Sequence, residues 1–400
     1  MARPIALEDA HQMILGKVQR IDRTDEVPLD SALDRVLRED VFAPLDLPPF
    51  RSSAMDGYAL RKLGQSYRVA GVSLAGQPFS GKLKDGECVR IFTGAMLPED
   101  ADTVVAQEVV MLEGERIHLD KDVEIGAHVR PSGLDCQKGQ LLLPAGTRLT
   151  PPAIGLLAST GINKLKCTAR VKVALAANGD ELVKPALPLP AGCIYESSLP
   201  MVQSLLARLA CEVTGAECMP DDPVRISFGL QALADKSEVV ISIGGASVGD
   251  TDFIKPVLAE SGSIHFWRIA LKPGMPMIFG QLKGAVFFGL PGNPASTFVT
   301  FTELVAPCLA KMGGAEVSKP LEFEATLGSA LYKDTDRAEF QRASMRMDET
   351  GGWRVYPAQN QSSNSLRSLA FANCYIVLKP SQGSLEAGEK VRVRTLSGFI

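Results

Sequence analysis

Five short clusters stand out in this 400-residue chain because each sits at or just beyond the end of an apolar run. Asn178-Gly179-Asp180-Glu181 follows VKVALA, and Met219-Pro220-Asp221-Asp222-Pro223 follows a run near 211–216. The stretch from Gly244 to Asp252 follows EVVISI, and Pro291-Gly292-Asn293-Pro294 follows AVFFGL. Lys272-Pro273-Gly274 begins four residues after Arg268. Gly244, Gly245 and Gly249 carry no Cβ, so backbone N–H groups there can approach phosphate oxygens near a helix start. Asp221 and Asp252 are hard oxygen donors of the kind Mg²⁺ takes beside phosphate. Arg268 and Lys272, four residues apart, supply a local cationic side in a chain of net charge −4. Each cluster alone also fits a plain turn or a helix cap. Ser247 and Ser296 fit capping as well as donation to an oxyanion. Together the clusters describe a metal-assisted site for a phosphorylated small molecule.

Such a site needs its loops on one edge. In an open parallel sheet, ligands lie outside the carboxyl ends of the strands. Continuous apolar runs such as VKVALA and EVVISI read as buried parallel strands, and they alternate here with helical patterns at 201–210, about 224–234, 252–260 and 295–311. A hairpin of MIFG and AVFFGL turns at Lys283-Gly284. The fold class expected is α/β multidomain, with a central doubly wound, mostly parallel α/β domain. Upstream, the spacing predicts helices over 7–18 and 31–37, a proline-broken loop over 43–60, and short β runs from 67 to 128. From 320, strands recur about every ten residues, as in a small barrel or sandwich. The divisions expected are 1–42 plus 140–168 as a helical and linker domain, 43–139 as an inserted β-rich domain, 169–318 as the α/β domain, and 319–400 as a β-barrel.

Composition narrows the classes. With 46% hydrophobic and 22% charged residues the chain reads as globular. The weak negative charge argues against a nucleic-acid or anionic-membrane binder. Eight scattered cysteines with no Cys-x-x-Cys pair suit a reduced, cytoplasmic setting, and neither a signal peptide nor a membrane span is expected. Gly76 to Lys82 imitates a phosphate-binding P-loop, but Leu83 stands where Ser or Thr should bind Mg²⁺, and no amphipathic helix follows.

With those clusters in view the chain resembles the MoeA family of molybdopterin molybdenumtransferases, which includes the C-terminal domain of gephyrin. The resemblance runs nearly end to end, through PPFRSSAMDGYA (48–59), AGQPF to RIFTGAMLPEDADTVV (75–105), RPSGLD (130–135), PAGTRLTP (144–151), NGDEL (178–182), IGGASVGDTDF (243–253), LKPGMP (271–276), GLPGNPAS (289–296) and EFQR (339–342). It implies a homodimer whose active site lies between the α/β domain of one subunit and the inserted domain of the other. The implied reaction is Mg²⁺-dependent insertion of molybdate into adenylylated molybdopterin with release of AMP, and an adenylyltransferase is the implied partner supplying the substrate. Carried onto matching positions, the catalytic set is Asp56, Thr93, Asp135, Glu181, Arg268, Lys272, Arg342 and Ser363. Gly244, Gly245, Ser247, Gly249, Pro291, Gly292, Asn293, Pro294 and Ser296 would hold the pterin nucleotide, and Asp221 and Asp252 the metal.

This chain departs from the family's usual pattern at several places. Met275 stands where K-P-G-K has its second Lys, and a thioether cannot neutralise an oxyanion; Arg268 and Arg342 are then the cations expected to compensate. Arg268 replaces a common Lys, Asn178 a Thr, Glu196 and Ser198 an Asp and an Asn, and Asn364 a His. Two alternatives accompany the transferase reading: a divergent member that binds pterin or a partner protein without efficient metal insertion, and an adenylyltransferase. The second is opposed by the regions flanking the α/β domain, which small adenylyltransferases lack.

Overall fold

A computed structural model describes residues 3–245, 254–317, 320–334 and 336–396. At its centre is a six-stranded sheet of β1 (Lys172–Asn178), β2 (Glu212–Met219), β3 (Val239–Ile243), β4 (Gly262–Arg268), β5 (Pro276–Leu282) and β6 (Ala285–Leu290), ordered β2-β1-β3-β6-β5-β4. The first four in that order run parallel; β5 is antiparallel to both β6 and β4, so β4 again points the same way as β6. Five of the six strands therefore end on one edge.

Helices cover both faces because alternate strand residues point oppositely. On one side Val173, Leu175 and Ala177 pack with α1 (Leu7–Lys17), α2 (Ser198–Arg208) and the helical run 294–312. On the other, Ala174 and Ala176 pack with α3 (Pro223–Ala234) and α4 (Ile254–Ser261). The α3 helix starts sharply. Asp222 accepts from the N–H groups of Val224 and Arg225, both at 2.9 Å, and Pro223 sets the first helical φ. The run from 294 is α5 (Pro294–Thr300), a π-helical turn (Phe301–Val305) and α6 (Ala306–Met312).

The expected helix over 31–37 does not form. Only Leu29–Ser31 makes a 3₁₀ turn; Asp34 adopts φ 63°, and Val36 and Leu37 bridge to Arg148 and Cys167. Pairing to neighbouring chain outcompetes a weak helical pattern. Nor is 43–60 all loop, because Gly57–Leu60 is a buried strand between Glu87–Ile91 and Thr103–Ala106. Gly57 is required there, since a Cβ would lie 1.9 Å from the Val105 carbonyl oxygen. These three strands belong to a six-stranded sheet completed by Ser66–Ser73, Val110–Glu113 and Arg116–Leu119. Residues 76–86 contain no helix, which removes the P-loop resemblance.

At the C-terminus β7 (Glu322–Leu327), β8 (Ala338–Met347), β9 (Trp353–Pro357), β10 (Cys374–Leu378) and β11 (Lys390–Thr395) close into a barrel in the cycle β8-β9-β7-β11-β10. A short helix, α7 (Leu366–Ala370), was not legible from spacing. Each of the eight cysteines is a free thiol, and no helix among the described residues is long and apolar enough to cross a membrane.

The barrel docks on the α/β unit through apolar and ionic contacts. Phe340 and Tyr375 join the same core as Val299 and Leu304. Arg394 of β11 pairs with Glu303 of the π turn and with Glu322 of β7, and its guanidinium stacks over Phe340. Glu303 is 8% exposed, so its charge depends on that partner. Arg394→Met should destabilise the full chain by roughly 3–5 kcal/mol in urea denaturation, and adding Glu303→Gln should return part of the loss. Equal stability of the single variant and the parent would show the pair to be incidental.

Candidate active site

The strand exits form one rim with an acidic and a cationic part. Asn178 and Met219 are paired at the ends of β1 and β2, and Gly179 donates to the Met219 carbonyl at 3.2 Å. This register brings Asp180, Glu181 and Asp221 together, and the Asp221 N–H bonds Asp180 at 3.1 Å. Partial burial raises the Asp221 carboxyl above its usual range, and the Asp180 and Glu181 charges raise it further. A cation would relieve that repulsion. Among the described residues, however, no three acidic, His or Cys side chains converge as a closed metal cage. The donor set fits Mg²⁺ only in its usual style, with one or two carboxylates beside phosphate and water oxygens. Asp252, the second expected metal ligand, lies outside the described residues, as do Ser247 and Gly249.

Gly244 and Gly292 form the middle of the rim. Gly244 has φ 82°, donates to the Leu290 carbonyl at 3.0 Å, and would place a Cβ 2.8 Å from the Asn178 carbonyl oxygen. A Cβ on Gly292 would meet the Gly244 Cα at 3.5 Å. Gly245 is also at positive φ, 67°. Backbone is thus bare where β3 and β6 end, about 5 Å apart as neighbouring strands are. Asn178 donates to Ser242 at 2.8 Å beneath this point.

Beyond β6 the rim meets the barrel. Leu271 and Lys272 pair in parallel with Ala338 and Glu339, and the Ala295 N–H at the start of α5 donates to the Ser363 carbonyl at 3.0 Å. Between them lies a cleft of about 400 Å³ lined by Lys272, Met275, Pro291, Asn293, Ser296, Arg337, Glu339 and Ser363, among others. Lys272 lies 3.4 Å from Glu339 and 3.7 Å from Asp334. Arg268 is carried to this edge by the end of β4, where its carbonyl accepts from the Ile5 N–H at 3.0 Å. Pro294 opens α5 at the same place.

The remaining expected site residues lie outside this cleft. Arg342 is 1% exposed and does not line the cleft. It lies under the loop that does, donating to the carbonyls of Asn360 at 3.3 Å and Ser362 at 3.1 Å. Its Nε and Nη1 have no hydrogen-bond partner, and burial lowers its pKa from the ordinary value. Asp56 and Thr93 meet in the inserted sheet: the Thr93 N–H and hydroxyl both donate to Asp56, at 2.8 and 2.7 Å. The backbone N–H bond first, then the hydroxyl, hold that carboxyl below its usual range. Asp135 is exposed, with its N–H bonded to the Leu47 carbonyl at 2.8 Å. Among the described residues no hydrogen bond or ion pair joins 44–139 to the α/β unit. Glu196 caps α2, accepting from Ser198 and Leu199 at 2.7 and 2.8 Å. Arg337 is the cleft residue that motif reading missed; it stands two residues before EFQR, outside the motif.

A mostly parallel α/β sheet with glycines at its exit edge, flanked by an inserted β unit and a barrel, defines a multidomain α/β protein with a small-molecule site, and comparison with known proteins specifies it. Residues 174–311 match the model for a probable molybdopterin binding domain, 5–161 the MoeA N-terminal region (domain I and II), and 324–396 the MoeA C-terminal region (domain IV). A molybdopterin molybdenumtransferase of Haemophilus influenzae is 39% identical over 99% of this chain and all of its own. Gephyrin of Dictyostelium discoideum is 30% identical over 96% of this chain and 61% of its own. A molybdopterin biosynthesis MoeA protein structure from Pyrococcus horikoshii superposes with TM-score 0.80 at 31% identity, covering 98% of this chain and 99% of that one. The chain belongs to the MoeA family and is an enzyme of molybdenum cofactor biosynthesis, a molybdopterin molybdenumtransferase.

The crowded carboxylates make a pH-dependent prediction. An acid whose folded pKa is raised costs stability once ionised, and that cost vanishes as pH falls below its unfolded value near 4. Asp221→Asn should therefore raise the melting midpoint at pH 7, with the difference closing as pH drops through the carboxylate range. Millimolar Mg²⁺ should raise the parent's midpoint more than the variant's. A variant less stable than the parent at pH 7 would contradict the repulsion.

Proposed function

We propose that this chain, acting in the cytoplasm, inserts molybdate into adenylylated molybdopterin with Mg²⁺ and releases AMP. What supports this most is that the acidic cluster and the cationic cleft share one strand edge, separated by bare backbone at Gly244 and Gly292. The pyrophosphate linkage would lie along that backbone, with the pterin nucleotide held by Gly244, Gly245, Pro291, Asn293, Pro294 and Ser296 and by Ser247 and Gly249. Mg²⁺ held by Asp221 and Asp252 would neutralise charge on the phosphates as the phosphoanhydride breaks. Water splits the phosphoanhydride, so AMP leaves with one phosphate and the pterin keeps the other. The two dithiolene thiols displace two molybdate oxygens, which depart with the thiol protons as hydroxide and are protonated by solvent, molybdenum staying at the same oxidation state. Lys272, Arg268 and Ser363 would hold molybdate beside those sulfurs, and Glu181 would act at the acidic end. Arg342 would shape the Ser363 loop from below. An adenylyltransferase is the class of enzyme that must supply this substrate.

We also propose that the working unit is a homodimer, and that 1–42 with 140–168, 43–139, 169–318 and 319–400 are its four domains. The paired Asp56 and Thr93, with Asp135, lie in a region that makes no described bond to its own α/β unit. A second copy would bring them to the rim.

Single-turnover AMP release from adenylylated molybdopterin, with Mg²⁺ and molybdate, tests the reaction; intact ligand binding with no AMP release would reject it. A mixing experiment tests the composite site. Asp56→Asn and Lys272→Ala should each be inactive, yet unfolding-free exchange of a 1:1 mixture should restore about a quarter of the activity, because half the dimers are mixed and each holds one intact site. No recovery in demonstrated mixed dimers would place the whole site within one chain.

A further inference from the structure

The cleft between α5 and the barrel poses a charge problem. Lys272 is the cation its motif supplies, yet Glu339, itself 4% exposed, stands 3.4 Å away, and Asp334 shares the same Nζ. Lys333 is nearby but buried, and its Nζ is spent on the carbonyls of Asp334 at 3.0 Å and Gln382 at 2.9 Å. Met275 stands three residues beyond Lys272, where the family's K-P-G-K pattern has its second Lys. An oxyanion entering here would meet a lysine already balanced by carboxylates.

Arg337 changes that balance. It lines the same cleft, and its Nη1 rests 3.9 Å from the Met275 sulfur. Among the described residues it forms no ion pair. Thioether sulfur is a weak acceptor, so this contact orients the guanidinium without neutralising it. The backbone is fixed on both sides. Ala338 N–H donates to the Ala270 carbonyl at 3.2 Å, and Asp336 N–H donates to the Pro380 carbonyl at 3.2 Å. A planar fork of donors held on such a frame, facing Asn293, Ser296 and Ser363, suits a tetrahedral oxyanion better than an ammonium would.

We propose that Arg337 is a second oxyanion-binding cation of this cleft beside Lys272, supplying from the barrel the charge that Met275 leaves absent on the α/β side. Its ligand is a tetrahedral dianion of the molybdate or tungstate type, so the proposal rests on the molybdate reading given above. Met275 serves as an apolar rest that holds the guanidinium toward the cleft.

The test uses the full chain and molybdate itself as the probe. In Arg337→Gln the molybdate concentration giving half-maximal AMP release should rise at least tenfold, with the affinity for adenylylated molybdopterin unchanged. Restoring a cation at the other position, in Met275→Lys/Arg337→Gln, should recover most of that loss. Calorimetric titration of parent and Arg337→Gln with molybdate alone provides a readout independent of turnover. If the parent binds molybdate and releases no AMP, the reaction assigned above fails while the Arg337 claim is still decided by the titration. An Arg337→Gln variant with the parental molybdate requirement and affinity overturns the proposal. A double variant as weak as the single one overturns the idea that the two positions exchange the same charge.

Discussion

The parallel pairing of Leu271 and Lys272 with Ala338 and Glu339 is the contact on which the cationic side of the rim depends. Two units of different architecture meet there, and the strand that leaves the α/β sheet becomes an edge of the barrel. Because hydrogen-bonded register is discrete, a slip of one residue would turn Lys272 to the opposite face. Supporting contacts lie on either side: Ile5 pairs beside Ile269, and the Ala295 N–H holds the Ser363 carbonyl. The Arg394 pairs with Glu303 and Glu322 bind the same two units deeper in the core.

The division of labour along the rim follows from topology. At β1 and β2 the parallel register sets Asp180 and Glu181 close enough to Asp221 to raise its carboxyl, which disfavours an anion there without forming a three-carboxylate cage. At β6 and α5 the sheet contributes bare backbone, and the barrel sets Arg337 and Glu339 opposite Lys272. A ligand that is anionic throughout its linkage and binds a divalent cation at one end fits such a gradient. The buried Arg342 illustrates how far the barrel goes to shape its share, since a guanidinium is taken out of water to brace a loop whose outer residues form the wall.

Much of this was legible in the chain. The continuous apolar runs of β1, β3 and β6 announce buried parallel strands, and the Gly, Pro and Asp clusters after them mark the exit edge. The five barrel strands follow from short β-like runs recurring about every ten residues. What spacing could not reveal were contacts made by distant pieces of chain. The segment 31–37 has helical periodicity but is claimed by bridges to Arg148 and Cys167. Gly57 looks like a turn residue beside Asp56, and only the Val105 carbonyl explains it as a strand glycine. Arg342 reads as a site cation by motif, whereas its depth beneath the Ser362 loop is a tertiary fact. Arg337 was overlooked for the converse reason: nothing in its local sequence points to Met275, 62 residues away.

The π turn at Phe301–Val305 has a geometric consequence for the run that contains it. One residue more than an α turn holds shifts everything downstream by about 100° around the axis. The stretch from Pro294 and the stretch ending at Met312 are therefore two differently phased surfaces on one rod. The first keeps Ser296 and Thr300 toward the ligand edge and the KPG turn, while the second presents Cys308, Leu309 and Met312 to the core around α1. Each end can vary in sequence without rotating the other out of place, with Glu303 at the seam.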